Sequence, residues 1–349
     1  MPAPLKLPLD DLRAWATQAI AGHGDEFTRA LAMRFGVSRM AANGAVRRLE
    51  QEGFLRRVRV GTRPLFAAGP SRLLLATAAL PGIDESLLWS QQFSTWLDVL
   101  PPALLNIAHY GFTEMVNNAN DHSGGGRLTL RCALTPEALH LWIADDGLGV
   151  FERVRAALDL ADLRLALLEL CKGKVTTDPQ RHTGEGLFFT SRAFSRFSLK
   201  ANGLVYRRTL DVDGHTEIER LESQENPAAV GTQIFMSLRL DAPHSLRQIF
   251  DLYTTGAPED LSFDRTVVPV KLAQLGGEFL VSRSQARRLT SRIDGFRRVE
   301  LDFDGVDEIG QAFADELFRV LAAERPAVAL VPLNANPRVL AMIRRVRPN

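Results

Sequence analysis

The chain has 349 residues, with 42 Lys and Arg against 41 Asp and Glu, for a formal net charge of +1. That length implies two or three domains, the 46% apolar content suffices for proper cores, and the near-neutral balance says nothing about partners, so any charge argument must be local. Cys132 and Cys171 are the only cysteines and lack metal-ligand spacing, which argues against a structural disulfide or zinc site; no apolar run approaches membrane-span length, and the N-terminus lacks the basic and apolar regions of a signal peptide, so a cytoplasmic protein is expected.

The first elements read as helices. Asp11 to Ala21 has helical periodicity and ends at Gly22-His23-Gly24; Thr28 to Phe35 is a second short helix closed by Gly36. Ser38 suits the N-cap of a third, Arg39 to Glu52, with Met40, Ala42, Val46 and Leu49 as its apolar positions. Gly53 stops it. Phe54 to Val60 and Pro64 to Ala67 then suggest a β-hairpin. Between Phe27 and Phe66 nine Arg face only Glu50 and Glu52, a local +7. The phrase Phe35-Gly36-Val37-Ser38-Arg39 opening a third helix resembles bacterial transcription regulators, and residues 1–69 resemble a winged helix-turn-helix. That resemblance implies a third helix in the major groove of double-stranded DNA, with Ser38, Arg39, Asn43 and Arg47 nearest the bases or phosphates. Arg57, Arg59 and Arg63 on the wing would contact backbone or minor groove.

Pro70, Pro81 and Gly82 mark residues 70–88 as a linker. The segment Gly111 to His122 follows. Glu114 and Asn118 are four residues apart and would share one helix face, a carboxylate and an amide that can serve one magnesium-nucleotide. Leu139 to Ala144 reads as a buried strand ending in Asp145-Asp146-Gly147-Leu148-Gly149. Thr183-Gly184-Glu185-Gly186-Leu187 precedes a helix, whose free N–H groups can hold phosphates. No Walker-type G-x-x-x-x-G-K-[ST] loop is present.

In order and spacing, these three segments resemble the N, G1 and G2 boxes of the GHKL ATP-binding fold of gyrase-type topoisomerases, chaperones and histidine kinases. The resemblance implies ATP and Mg2+ as cofactors. Asn118 would ligate the Mg2+ through its side-chain oxygen, and Glu114 would orient or deprotonate an attacking water. Asp145 would accept a hydrogen bond from the adenine amine, with Gly147 and Gly149 allowing the sharp turn beside the base. Thr183, Gly184, Gly186 and Leu187 would form the phosphate side, and Lys172, Lys174 and Arg181 would belong to a lid, each within possible reach of a phosphate. Gly231 to Leu238 is similar to the last strand of that fold, whose Thr, here Thr232, approaches an adenine-bound water. His122 is not read as a phosphoacceptor. Asp211 to Pro227 reads as a polar hairpin tip or loop.

Residues 265–349 alternate strand and helix: strands at 265–270, 277–281, 299–306 and 327–331, helices at 284–293, 313–323 and 338–345. The phrases Ser282-Arg283-Ser284-Gln285-Ala286, Leu301-Asp302-Phe303-Asp304-Gly305-Val306 and Gly310 to Glu316 resemble STAS-like domains. In related domains a loop Ser is phosphorylated; here Glu308 to Phe313 has no hydroxyl, so docking or dimerisation is expected instead.

The fold class is therefore α+β and multidomain: a winged helix (1–69), a linker (70–88), a GHKL α/β sandwich (89–245), a second linker (246–264) and a STAS-like α/β domain (265–349). The function expected is an ATP-binding, slowly hydrolysing, DNA-binding transcription regulator controlled by nucleotide state. A GHKL-type protein kinase acting on a separate partner is the alternative, and a nucleotide-gated scaffold, with a protein partner or homodimer, the third.

Overall fold

The computed structural model of the chain describes residues 8–60, 63–175, 184–210, 217–223, 230–242, 244–256, 262–274 and 279–347. Helices and three separate sheets make it an α+β, multidomain protein.

The N-terminal unit is three helices and a hairpin: α1 (Leu9–His23), α2 (Phe27–Phe35), α3 (Arg39–Gln51), β1 (Leu55–Val60) and β2 (Arg63–Ala68). Gly36 ends α2 in the left-handed conformation (φ 62°), returning its N–H to the Ala32 carbonyl. Ser38 caps α3 by accepting from the Ala41 N–H at 3.2 Å. Ala42, Val46 and Leu49 face Leu12, Ala16, Phe27 and Leu31 in a small core of their own. Met40, expected among those apolar positions, is instead 83% exposed. As the second residue of α3 it lies on the exposed face that Arg39, Asn43 and Arg47 share.

Residues 72–79, expected inside a linker, form β3 (Arg72–Ala79), which pairs with β4 (Arg127–Leu134) along its full length. Their Leu73 and Leu74 are buried, and a buried apolar strand edge satisfies its backbone by pairing. Between these strands lie α4 (Glu85–Trp89), a π-helical turn at Ser90–Ser94, α5 (Thr95–Leu97) and the long α6 (Pro102–His122). Next come β5 (Ala138–Asp145), α7 (Val150–Ala157), α8 (Leu163–Lys172), α9 (Gly186–Ala193), β6 (Arg196–Ala201), β7 (Leu204–Leu210), β8 (Glu217–Ser223) and β9 (Thr232–Arg239). The sheet runs β3-β4-β5-β9-β6-β7-β8, all pairs antiparallel. Residues 217–223 are thus strand rather than loop; the remainder of the polar 211–227 stretch lies outside the described residues.

Alternation along the strands builds one apolar face. Leu128, Leu130 and Leu134 of β4, Leu139, Leu141 and Ile143 of β5, and Ile234, Met236 and Leu238 of β9 are all buried against α6 and its neighbours. On α6, Gly111 allows close approach to α9: a Cβ there would overlap the Phe194 ring.

The described residues of the second expected linker, 246–256 and 262–264, are structured as well. α10 (Leu246–Asp251) opens with a capping box between Ser245 and Gln248. Beyond it Tyr253 and Phe263 join an aromatic cluster with Phe188, Phe189 and Phe296. The C-terminal unit follows: β10 (Arg265–Pro269), a 3-10 turn at Val270–Ala273, α11 (Arg283–Leu289), β11 (Arg298–Asp302), α12 (Gln311–Asp315), a π-helical turn at Glu316–Val320, α13 (Leu321–Glu324), β12 (Ala329–Leu333) and α14 (Pro337–Val346). Its three strands are parallel, in the order β10-β11-β12. Residues 279–281, expected to end a strand, are loop; Val281 and Ser282 N–H groups go to the Gln285 side chain instead of a sheet. The apolar core runs unbroken from the seven-stranded sheet into this unit. Among the described residues no helix is long and apolar enough to cross a membrane.

Candidate functional site

α6 sets one wall of a cavity of ≈ 320 Å³. Glu114, Asn118 and His122 recur every four residues and project from one face of the helix into it. The ends of β5 and β9 set the opposite wall with Asp145 and Thr232, while Gly184, Gly186 and Leu187 close a third side at the start of α9. Four sequence segments separated by tens of residues therefore meet around one space, with apolar Met115, Ile143 and Ile234 between the polar groups.

Asp145 is the last residue of β5. Its Oδ1 accepts from the Gly147 N–H at 2.9 Å and the Thr232 N–H at 3.2 Å. Burial raises its carboxyl above the ordinary value, and these hydrogen bonds oppose the rise by favouring the ionised form. The Thr232 hydroxyl oxygen accepts from the Val150 N–H at 3.0 Å, tying β9 to the start of α7. Asp146 points elsewhere: it accepts from the Gly126 and Arg127 N–H groups, which hold its carboxyl below the ordinary range.

Gly147 and Gly149 do not line the cavity; they shape the turn beside it. A Cβ at 147 would overlap the Ser123 carbonyl, and one at 149 (φ 85°) would overlap the Asn202 amide. That amide accepts from the Glu152 N–H and donates to the Leu148 carbonyl, holding the turn. Gly186 lies against Glu114: any Cβ there would overlap the Glu114 carboxylate. The start of α9 and the acid of α6 are thus in direct apposition, which an isolated reading of either segment does not reveal.

Other expected residues lie differently. Thr183 and Arg181 fall outside the described residues. Lys172 and Lys174 do not line the cavity. The Lys174 ammonium donates to the Gly295 carbonyl at 2.8 Å and sits over the Phe263 and Phe296 rings. Lys172 is buried against the C-terminal unit, donating to Glu169 at 2.7 Å, to Ser291 Oγ at 2.9 Å and to the Arg288 and Ser291 carbonyls at 3.0 Å. Aromatic faces and convergent carbonyls from residues 263–296 draw both cations away from the cavity. In their place Arg153 of α7 reaches the cavity wall. Its signal was its place one turn after the Asp-Gly turn, where a helix begins; no box motif includes it.

Among the described residues no group of three or more His, Cys, Asp or Glu is arranged to hold a metal. An ion at the Asn118 oxygen would complete its oxygen shell from phosphates and water. A half-buried carboxylate at one end, a glycine-lined helix start at the other and apolar side chains between them match a base, phosphates and a flat ring.

On the N-terminal unit, Ser38, Arg39, Asn43 and Arg47 lie together on the exposed face of α3. Arg59 is also exposed on β1. Arg57 is committed internally: it pairs with Glu50 at 2.6 Å and covers the Phe66 ring at 5.7 Å. The side chain of Arg63 lies outside what the structure describes.

No curated protein matches the chain. Residues 285–340, from within α11 into α14, match the STAS-like domain of unknown function (DUF4325), so the C-terminal unit carries a STAS-like domain.

Proposed function

We propose that this protein binds ATP with Mg2+ in a GHKL-type site and binds double-stranded DNA through an N-terminal winged helix-turn-helix, with nucleotide state controlling the DNA-bound arrangement. The observation that carries this reading is the single cavity: Glu114, Asn118, Asp145, Thr232, Gly184 and Gly186 converge there from four parts of the chain. Asp145 would accept from the adenine amine, and the Gly184–Leu187 backbone would hold phosphates. Bound magnesium would offset phosphate charge, held on the protein side by Asn118. Glu114 would take a proton from water in slow hydrolysis. The exposed Arg39 and Arg47 support the DNA half of the reading, because phosphate contacts need basic groups on one exposed face, and Asn43 lies on that face with them.

The test is fluorescence anisotropy of labelled DNA from upstream of the protein's own gene, at fixed salt, without nucleotide, with ADP and with a non-hydrolysable ATP analogue. The expected result is a shift of about tenfold in DNA affinity between nucleotide states, about 1.4 kcal/mol of coupling. DNA affinity indifferent to nucleotide would separate the two halves of the proposal.

A further inference from the structure

The outward face of α3 carries a side chain that the fold does not use. Met40 is the most exposed large apolar side chain among the described residues. A lone exposed apolar residue needs no explanation, but the surroundings of this one are specific. At 3.6 residues per turn, Met40, Arg47 and Gln51 run along the line opposite the buried Ala42, Val46 and Leu49, with Gly44 beside them. Arg39 and Asn43 lie along the other edge of that line, and both are exposed. The one acid of α3, Glu50, is half-buried and holds the Arg57 guanidinium at 2.6 Å, so the helix presents no exposed carboxylate.

Gly44 is the second observation. A glycine inside a helix is unfavourable relative to alanine, yet a Cβ at position 44 would meet nothing within 4 Å. Its backbone is not left-handed either, so the fold itself has no need of a glycine there. What the bare position leaves is clearance, one turn beyond Met40, for a body outside the chain. Met40 is the second residue of the helix that Ser38 caps, and in helix-turn-helix docking the first residues of the recognition helix contact base edges. A base-pair edge in the major groove carries one apolar group, the C5-methyl of thymine. An unbranched thioether chain set among exposed arginines is complementary to that methyl set among phosphates.

We propose that Met40 is a specificity-determining residue that reads thymine, packing its thioether chain against the C5-methyl in the major groove, and that Gly44 is bare so that α3 can lie close enough for this contact. The assignment rests on the DNA half of the proposed function. It adds a base preference to a face whose other members, Arg39, Asn43 and Arg47, bind phosphates or hydrogen-bonding base edges. Removing the methyl from the contacted thymine then costs affinity in the wild type, and removing the Met40 side chain abolishes the difference.

The test uses the full chain in the nucleotide state that binds DNA more tightly. Sites are selected from a random double-stranded DNA library, and each thymine of the selected site is replaced singly by deoxyuridine, which lacks only the methyl. We expect at least one replacement to weaken wild-type binding about fourfold, the transfer free energy of one buried methyl. Met40→Ala should bind the thymine and deoxyuridine sites alike, and Met40→Leu should keep the difference. Gly44→Leu should bind the selected site more weakly with no fall in its urea unfolding midpoint; both positions are exposed, so all three variants should fold. Wild-type affinity indifferent to every replacement would overturn the proposal, as would methyl discrimination retained in Met40→Ala, or full affinity in Gly44→Leu. Self-association of the wild type that is lost in Met40→Ala, at unchanged DNA affinity, would assign the face to a second copy of the chain and overturn it too. Duplex binding with no sequence enriched would overturn this inference alone, whereas no duplex binding in any nucleotide state would overturn the DNA reading with it.

Discussion

Asp145 has a structural role of its own, and the proposed function adds a binding role to it. Its carboxylate already holds the Gly147 and Thr232 N–H groups, so it fastens the turn to β9 before any ligand arrives. Burial raises its pKa, and two consequences of opposite sign follow. Folding favours the protonated form, so this group's contribution to stability is present below the ordinary 3.8 and lost as pH rises through the raised value. Adenine recognition needs the ionised acceptor, so nucleotide affinity should fall on acidification, beginning at a higher pH than an exposed aspartate would give. Calorimetric titration across mildly acidic pH should show that decline in the wild type. Asp145→Asn should bind adenine nucleotide more weakly by about 1.5–3 kcal/mol and lose the pH dependence. Equal affinity in the variant would remove the adenine contact. The strand ending at Asp145 was legible from sequence, because an apolar run that stops at Asp-Asp-Gly marks a strand followed by a turn. The contact between Gly186 and Glu114 was not legible, because it joins residues 72 positions apart through the packing of α9 on α6.

Helix α3 was legible as an element and α8 was not, and in each the use of the cations was decided by neighbours. On α8, Lys172 and Glu169 form a buried pair whose partners come from residues 288–291. Desolvation pulls the lysine's pKa down while Glu169 pulls it up. Removing only Lys172 leaves the buried Glu169 carboxylate with the Ser291 hydroxyl at 2.6 Å and the more distant Arg292 guanidinium at 3.9 Å. Lys172→Met should therefore cost about 3–5 kcal/mol in urea unfolding, and Lys172→Met with Glu169→Leu distinctly less. Equal losses from the single and double variants would mean that charge balance is not what holds α8 to the C-terminal unit. On α3 and its hairpin the contrast is between free and committed arginines. Arg47→Ala should weaken DNA binding across sequences and lower the slope of log K against log salt by about 1. Arg57→Ala should leave that slope unchanged, because Arg57 is already spent on Glu50 and Phe66. A matching slope change from both would count Arg57 among the phosphate contacts. The +7 between Phe27 and Phe66 did not distinguish these two arginines; only the folded hairpin brings Glu50 back to Arg57.

At the scale of the molecule, the proposed coupling has a physical route. The N-terminal unit has its own core but rests on the central sheet. Thr17 Oγ1 accepts from the Leu73 N–H of β3 at 3.0 Å, and Asp10 pairs with Arg131 of β4. β4 pairs with β5, which ends in Asp145. Displacement of the sheet end by a nucleotide would therefore reach α1 through two strands. Asp10→Asn should keep DNA and nucleotide affinities near wild type while reducing the nucleotide-dependent shift in DNA affinity to about twofold or less, as read by the same anisotropy measurement. An undiminished shift would place the coupling elsewhere.

Sequence alone determined the local matter: α3 with its Ser38 cap, the strand before Asp145, the shared face of Glu114 and Asn118, and the alternating strands and helices after Arg265. Those follow from periodicity and caps, which act over a few residues. Tertiary structure decided that 72–79 is a sheet strand and that Tyr253 and Phe263 belong to the core. It also decided that Lys172 and Lys174 face the C-terminal unit rather than the cavity. Pairing partners and buried charges are long-range choices, settled by which backbone edge or aromatic face the rest of the chain brings near, and no local pattern records them.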